Sequence, residues 1–225
     1  MILTLVLVGE NYTSNPDESI KQIERFKNRG WDVYVLTDKP ELFPNTKTEY
    51  YQNKIFSYFD KLLFSLRIAE KTQQNVLYID HDFGENLTDN FFKNFKETKD
   101  YVFFEKWQKW DETNKKYVPW DKFGDYFSVY YLPIYLYFKK INFDYNELTT
   151  IRECYMYFPY DDNTTRIIYE MEKIKPIFDY MSVVEQSGFS CYGSSEGIAL
   201  SYIFNLLGIT PKLFNKTLNE PLKFI

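Results

Sequence analysis

Asn75-Val76-Leu77-Tyr78-Ile79-Asp80-His81-Asp82-Phe83 is the stretch from which the fold can be read. Four apolar or aromatic residues run without a break into two aspartates spaced i, i+2. A short run of this kind, rich in β-branched and aromatic side chains, predicts a buried central strand. Side chains alternate along an extended chain, so Asp80 and Asp82 leave the strand end on the same side. Carboxylates that close repel each other unless a cation sits between them. Oxygen-only ligands at the mouth of a sheet suit Mg²⁺ or Mn²⁺. The plainer reading of an Asp-x-Asp is a solvated acidic turn that ends a strand, so the flanking sequence has to decide.

Immediately upstream, Ile55, Phe59, Leu62, Leu63, Leu66 and Ala69 mark an amphipathic helix to about Lys71, with Lys54, Lys61 and Arg67 among its polar positions. Further back, residues 2–8 form a near-continuous apolar run, as expected for a strand covered on both faces. Asn15-Pro16-Asp17-Glu18 supplies a helix start, Ile20, Ile23 and Phe26 follow at helical spacing, and Gly30 closes the helix. A second strand, Asp32 to Leu36, stops at Thr37-Asp38. Together these make a β-α-β unit with a parallel pair and a right-handed crossover. Asp38 ends its strand where open α/β sheets bind ligands, although Asp38 before Lys39-Pro40 also reads as a simple turn former. Residues 42–51 look like loop.

Beyond the motif, a short helix is expected from Thr88-Asp89-Asn90 through Phe95, and a strand from Tyr101 to Phe104. Residues 105–125 carry Trp107, Trp110 and Trp120 among charges without a period, which predicts a long functional loop or insertion. Pro133 interrupts the aromatic run 126–138, which takes no assignment. A strand is expected at Tyr155–Phe158, before Pro159-Tyr160-Asp161-Asp162, then a helix from Thr164 to about Gln186 with a kink or break at Pro176. Phe189 to Tyr192 suggests a strand. Ser194 can cap a buried helix whose body is Ile198 to Leu207, ended by Gly208 and Pro211. That puts Glu196 in the first turn of a buried helix, a common place for a dipole-stabilised acid.

Composition narrows the classes. The chain has 225 residues, enough for a single domain, 1–225. Aromatics reach 20%, with Tyr 21 and Phe 21, so rings must both fill the core and reach surfaces able to hold sugars or bases. A net charge of −5 gives no basic field for nucleic acid. Cys154 and Cys191 fit no metal spacing and read as free thiols of a reducing compartment. The apolar start has no positive flank or cleavage site and is too short for a membrane span, so a cytoplasmic location is expected. Lys, Asn, Ile, Tyr and Phe usage looks like an AT-rich genome, viral or bacterial.

The order strand, helix, Tyr34-Val35-Leu36-Thr37-Asp38, then Phe59-Asp60-Lys61-Leu62-Leu63-Phe64-Ser65-Leu66 and Val76 to Asp82 resembles GT-A fold glycosyltransferases. The glycogenin-like and blood-group-type groups look closest. The resemblance covers residues 1–105 and, more loosely, 188–208, where Glu196 precedes Ile198-Ala199-Leu200-Ser201-Tyr202. It implies an α/β, Rossmann-like fold with a mostly parallel central sheet flanked by helices and a C-terminal elaboration on the acceptor side. Residues 1–105 would be the nucleotide-sugar-binding half and 106–225 the acceptor-side half. It also implies transfer of a sugar, hexosyl or pentosyl, from a nucleoside-diphosphate-sugar, a UDP-sugar first, to a hydroxyl of a glycan or other acceptor. A Mn²⁺ or Mg²⁺ ion would be the cofactor. By position, Asp38 would contact the nucleoside. Asp80 and Asp82 would hold the metal, with Asp80 also near the ribose or sugar. Lys61 would approach the phosphates or donor sugar, and Glu196 would face the reacting sugar or acceptor as the catalytic carboxylate.

Two departures stand out. Such enzymes often add a histidine ligand near the C-terminus, yet the only histidine here is His81, inside the motif. The acidic pair expected before the last helix is replaced by Ser194 and Ser195, leaving Glu196 alone and the stereochemical course open. Two other readings compete. A haloacid-dehalogenase-like phosphohydrolase would use Asp80 and Asp82 with Asp161-Asp162 as its distal acids, but its motif normally continues Gly-Thr and lies on the first strand. A non-catalytic nucleotide-sugar-binding module is the other.

Overall fold

The structure is a computed structural model that describes residues 1–53, 55–81, 87, 89–93, 95, 98–104, 108–111, 113, 116–119, 132–145, 148, 152–187 and 196–214. The chain begins with β1 (Ile2–Leu7), the short α1 (Glu10–Thr13), α2 (Asp17–Asn28) and β2 (Asp32–Thr37). Then come β3 (Lys47–Tyr50), α3 (Phe59–Thr72), β4 (Val76–Ile79), α4 (Asp89–Lys93) and β5 (Val102–Phe104). After β6 (Gln108–Asp111) and β7 (Lys116–Pro119), the chain forms α5 (Leu132–Lys140) and β8 (Arg152–Phe158). It finishes with α6 (Thr164–Gln186), α7 (Glu196–Leu207) and β9 (Lys212–Phe214).

Seven strands make one sheet in the order β3-β2-β1-β4-β8-β5-β9. The pairs β1–β2, β1–β4, β2–β3 and β5–β9 are parallel, and β8 runs antiparallel between β4 and β5. The expected class, an α/β Rossmann-like fold with a mostly parallel sheet flanked by helices, is therefore present.

The alternation of side chains along the strands divides the core in two. Tyr78, Met156 and Phe158 face one side, where Phe59, Leu62 and Leu66 of α3, Phe178 of α6 and Ile203 of α7 cover them. Leu77, Ile79, Tyr155 and Tyr157 face the other, under Ile23 and Phe26 of α2 and Phe91 of α4. Every residue of β4 is buried, which is why its sequence is continuously apolar rather than alternating. Phe59 and Phe178 stack with ring centres 4.9 Å apart and lock α3 to α6.

Several expectations need correction. Residues 42–51 are not all loop: Lys47–Tyr50 adds β3 to the sheet edge, polar enough to have no strand pattern. The stretch 105–125 is not structureless, because β6 and β7 pair there as an antiparallel hairpin. The unassigned run 126–138 contributes to α5, with Pro133 in the first turn where its missing N–H costs no helical bond. The helix after Lys54 starts at Phe59, not Ile55, and α6 continues through Pro176 without a break. The expected strand at 189–192 and the Ser194 cap lie outside the described residues. Among the described residues, no helix is long and apolar enough to cross a membrane.

Candidate functional site

Helix α2 covers one face of the sheet and α3 the other. The chain therefore leaves β1 toward β2 and returns on the opposite flank to β4, its other neighbour. Connections that depart in opposite directions leave a crevice at the carboxyl ends of the two strands, and open α/β sheets bind ligands there. A cleft of about 780 Å³ occupies this position, a size that suits a small organic ligand. Its floor is Val6 of β1 and Val8 just past it, with Tyr78 of β4 and Asp80 and His81 just past its end. One wall is Asn11 and Tyr12, and the other is Phe56, Tyr58 and Lys61, closed by Glu185 and Gln186 at the end of α6.

Lys61 was expected here, but not its burial. It sits in the first turn of α3, yet its side chain is only 7% exposed. Thr4 and Ser65 hydroxyls bond at 2.8 Å to seat α3 on β1, and the Ser65 hydroxyl donates to the Lys61 carbonyl at 2.9 Å. The Lys61 ammonium forms an ion pair with Glu196 Oε1 and lies 3.4 Å from Asp80 Oδ1. The Tyr58 and Tyr78 rings flank it, with centroids at 5.7 and 5.4 Å. Glu196, the first residue of α7, is 2% exposed, and its Oε2 has no hydrogen-bond partner among the described residues. Burying an ammonium and a carboxylate costs several kcal/mol each, which a well-made pair recovers but rarely exceeds. Breaking the apolar rule of a core at such a place is a mark of function.

Asp80 is the open carboxylate, 38% exposed. Its Oδ1 accepts from the Tyr78 hydroxyl at 2.5 Å, and Oδ2 has no hydrogen bond among the described residues. Burial pushes the Tyr78 phenol well above its ordinary value, and the Asp80 charge pushes the same way against Lys61. Burial also raises the Tyr58 phenol, with Glu185, Glu196 and Asp80 adding to the rise and Lys61 opposing it. Among the described residues, three carboxylates, Asp80, Glu185 and Glu196, thus act with one ammonium, Lys61, on these phenols.

The other predicted residues are placed as follows. Asp38 lies at the same edge of the sheet but does not line this cleft; its Oδ1 accepts from the Gly9 N–H at 3.2 Å and ties the ends of β1 and β2. Gly9 needs its freedom because φ is 96° where the chain turns off β1. His81 Nε2 shares a hydrogen bond with Ser19 Oγ at 3.2 Å, and the His81 carbonyl accepts from Gln22 Nε2 at 2.8 Å. The histidine therefore pins the end of β4 to α2. Asp82 lies outside the described residues.

Sequence reasoning missed Tyr12, Phe56, Tyr58, Glu185 and Gln186. Phe56 and Tyr58 make an edge contact at 5.3 Å, and Gln186 Nε2 donates to the Phe56 carbonyl at 2.9 Å. The aromatic cluster just before α3 was a usable sign for the first pair; nothing in the sequence marks Glu185.

Among the described residues no group of three or more His, Cys, Asp or Glu side chains could hold a metal ion. The donors present still fit a hard divalent cation of the kind that keeps water and takes one or two carboxylates plus phosphate oxygens. Asp80 offers a partly exposed carboxylate in the cleft.

No family model and no curated protein sequence matches the chain. Among solved structures, 4-diphosphocytidyl-2C-methyl-D-erythritol synthase from Anaerococcus prevotii DSM 20548 is similar at 10% identity and a TM-score of 0.46. The match covers 94% of this chain and 85% of that one. A backbone likeness of that extent says nothing of what this chain binds.

Proposed function

We propose that the chain is a metal-dependent glycosyltransferase that moves a sugar from a nucleoside-diphosphate-sugar, a UDP-sugar first, to an acceptor hydroxyl. The observation that carries this reading is Asp80, an open carboxylate just past the end of β4, in a cleft where the chain divides between β1 and β4. In this reading residues 1–105 form the donor half and 106–225 the acceptor half.

Asp80 and Asp82 would hold Mn²⁺ or Mg²⁺, which stabilises charge developing on the departing nucleoside diphosphate. Lys61 reaches the cleft beside Asp80 and serves the phosphates. Asp38 stands at the neighbouring strand end, on the side assigned to the nucleoside. Glu196 was expected to face the reacting sugar; buried beneath Lys61, it takes the part of holding that ammonium instead. The acceptor proton needs a carboxylate within hydrogen-bond reach, and Glu185 on the cleft wall is the side chain assigned to it.

The phosphohydrolase reading loses support from topology. Strand β8 runs antiparallel to β4, with Phe158 opposite Val76, so Asp161 and Asp162 follow at the edge away from Asp80. Asp161 is also occupied: its Oδ1 accepts the Tyr101 hydroxyl at 2.6 Å and the Asn163 N–H at 2.8 Å.

The test is a panel of nucleotide-sugars with Mn²⁺, read by release of free nucleoside diphosphate. We expect turnover with at least one donor, and a loss of about 100-fold or more in Asp80→Asn, the scale for removing a charge-stabilising group. Phosphate release from simple phosphate esters would sink the reading. Stabilisation by UDP plus Mn²⁺ without turnover of any donor would favour a binding module.

A further inference from the structure

We propose that Lys61 is a tethered counter-cation that occupies Asp80 in the donor-free protein, so that a divalent cation binds well only when a nucleoside diphosphate draws the ammonium away. This rests on the donor and metal reading given above and adds an order of events to it. The two carboxylates around the Lys61 ammonium are unequal. Glu196 is the buried and closer partner, while Asp80 is the more exposed one at 3.4 Å. The Asp80 contact is therefore the one that can be given up.

Glu196 is the positioning residue of this device. It keeps the ammonium charge compensated wherever the head group turns. Its Oε2, buried and without a hydrogen-bond partner among the described residues, is an acceptor left open for a second N–H of the ammonium. A lysine head is a compact point charge with three donors on a flexible stem, so it can rotate between such partners where a planar guanidinium could not. The Tyr58 and Tyr78 rings beside it provide faces that tolerate the cation during that movement.

Charge balance gives the direction. In the resting site Asp80 already has a positive neighbour, and a metal ion arriving alone meets repulsion from it. A diphosphate brings negative charge of its own, which attracts the ammonium and leaves Asp80 to the metal.

The experiment is direct titration of Mn²⁺ into donor-free protein by calorimetry, repeated with UDP, for the wild type, Lys61→Met, Glu196→Gln and the Lys61→Met/Glu196→Gln pair. The double variant removes both buried charges and carries the test if Lys61→Met alone does not fold, with near-UV circular dichroism as the check. We expect UDP to raise wild-type Mn²⁺ affinity about tenfold or more. Lys61→Met and the double variant should bind Mn²⁺ alone about tenfold more tightly than wild type, a change of about 1.4 kcal/mol, and lose most of the UDP dependence. Glu196→Gln should move the other way, because the ammonium then loses its buried counter-charge and is drawn more strongly to Asp80. Donor-free Mn²⁺ affinity that is the same in wild type and the double variant overturns the proposal while UDP–Mn²⁺ binding by the wild type keeps the donor reading. Failure of the wild type to bind UDP with Mn²⁺ overturns both.

Discussion

Lys61 and Glu196 bury opposite charges against each other, and that has a cost that can be measured. Lys61→Met leaves the Glu196 carboxylate buried without its cation, which should destabilise the fold by about 3 kcal/mol or more. Adding Glu196→Gln removes the stranded charge and should recover part of the loss. Urea denaturation of the two variants checks this; equal stability of wild type and Lys61→Met would mean that water reaches the pair. At this scale the sequence was legible for Asp80, because a strand that ends in an acid shows itself within nine residues. It was not legible for the burial of Lys61, although the residue itself was singled out. Helical periodicity counts lysine as a polar-face residue, and the reason for its burial is a carboxylate far along the chain. The pairing of Glu196 was hidden for the same reason, since its first-turn position accounts for an acid without calling for a partner.

Elements were readable where hydrophobic period and caps agreed. The β1–α2–β2 unit has both and the α3–β4 passage a strong period, and their boundaries fall within a few residues of expectation. Strand β3 was missed because an edge strand buries almost nothing: Lys47-Thr48-Glu49-Tyr50 has no apolar alternation, and Tyr50 is 60% exposed. The β6–β7 hairpin hides among charges in the same way. Helix α6 poses the opposite case, since a proline predicted a kink or break that is not there. Pro176 is exposed, so the neighbouring turns and the buried stripe through Ile174, Phe178 and Met181 carry the helix past it. Because Pro176 fills no core space, Pro176→Ala restores a backbone donor at no packing cost. The intrinsic gain in a helix interior is about 3 kcal/mol, reduced by about 1 for the freer unfolded chain. A rise of about 2 kcal/mol in thermal stability is expected. Unchanged or lower stability would mean that the proline fits a bend that α6 needs against α3.

Across the molecule, the tyrosine content that first suggested a sugar-binding surface also sets the response to alkali. Burial raises the Tyr51 phenol to about 12. It also raises those of Tyr78, Tyr101, Tyr157 and Tyr202, with Asp80, Asp161 and Tyr137 adding to the rise at Tyr78, Tyr101 and Tyr202. Below pH ~10 these groups are protonated in both folded and unfolded chains and contribute nothing that depends on pH. Above it the unfolded chain loses protons that the folded one keeps. Stability then falls as pH rises, by about 1.4 kcal/mol per pH unit for each such phenol until its folded value is reached. Several together bring the loss to the size of a whole domain's stability within a pH unit or two. A spectrophotometric titration should therefore show the phenolates of these buried tyrosines appearing only in a step coincident with loss of far-UV circular dichroism. One smooth wave near pH 10 with the fold intact would mean that the two cores separated by this sheet admit water far more readily than their packing implies.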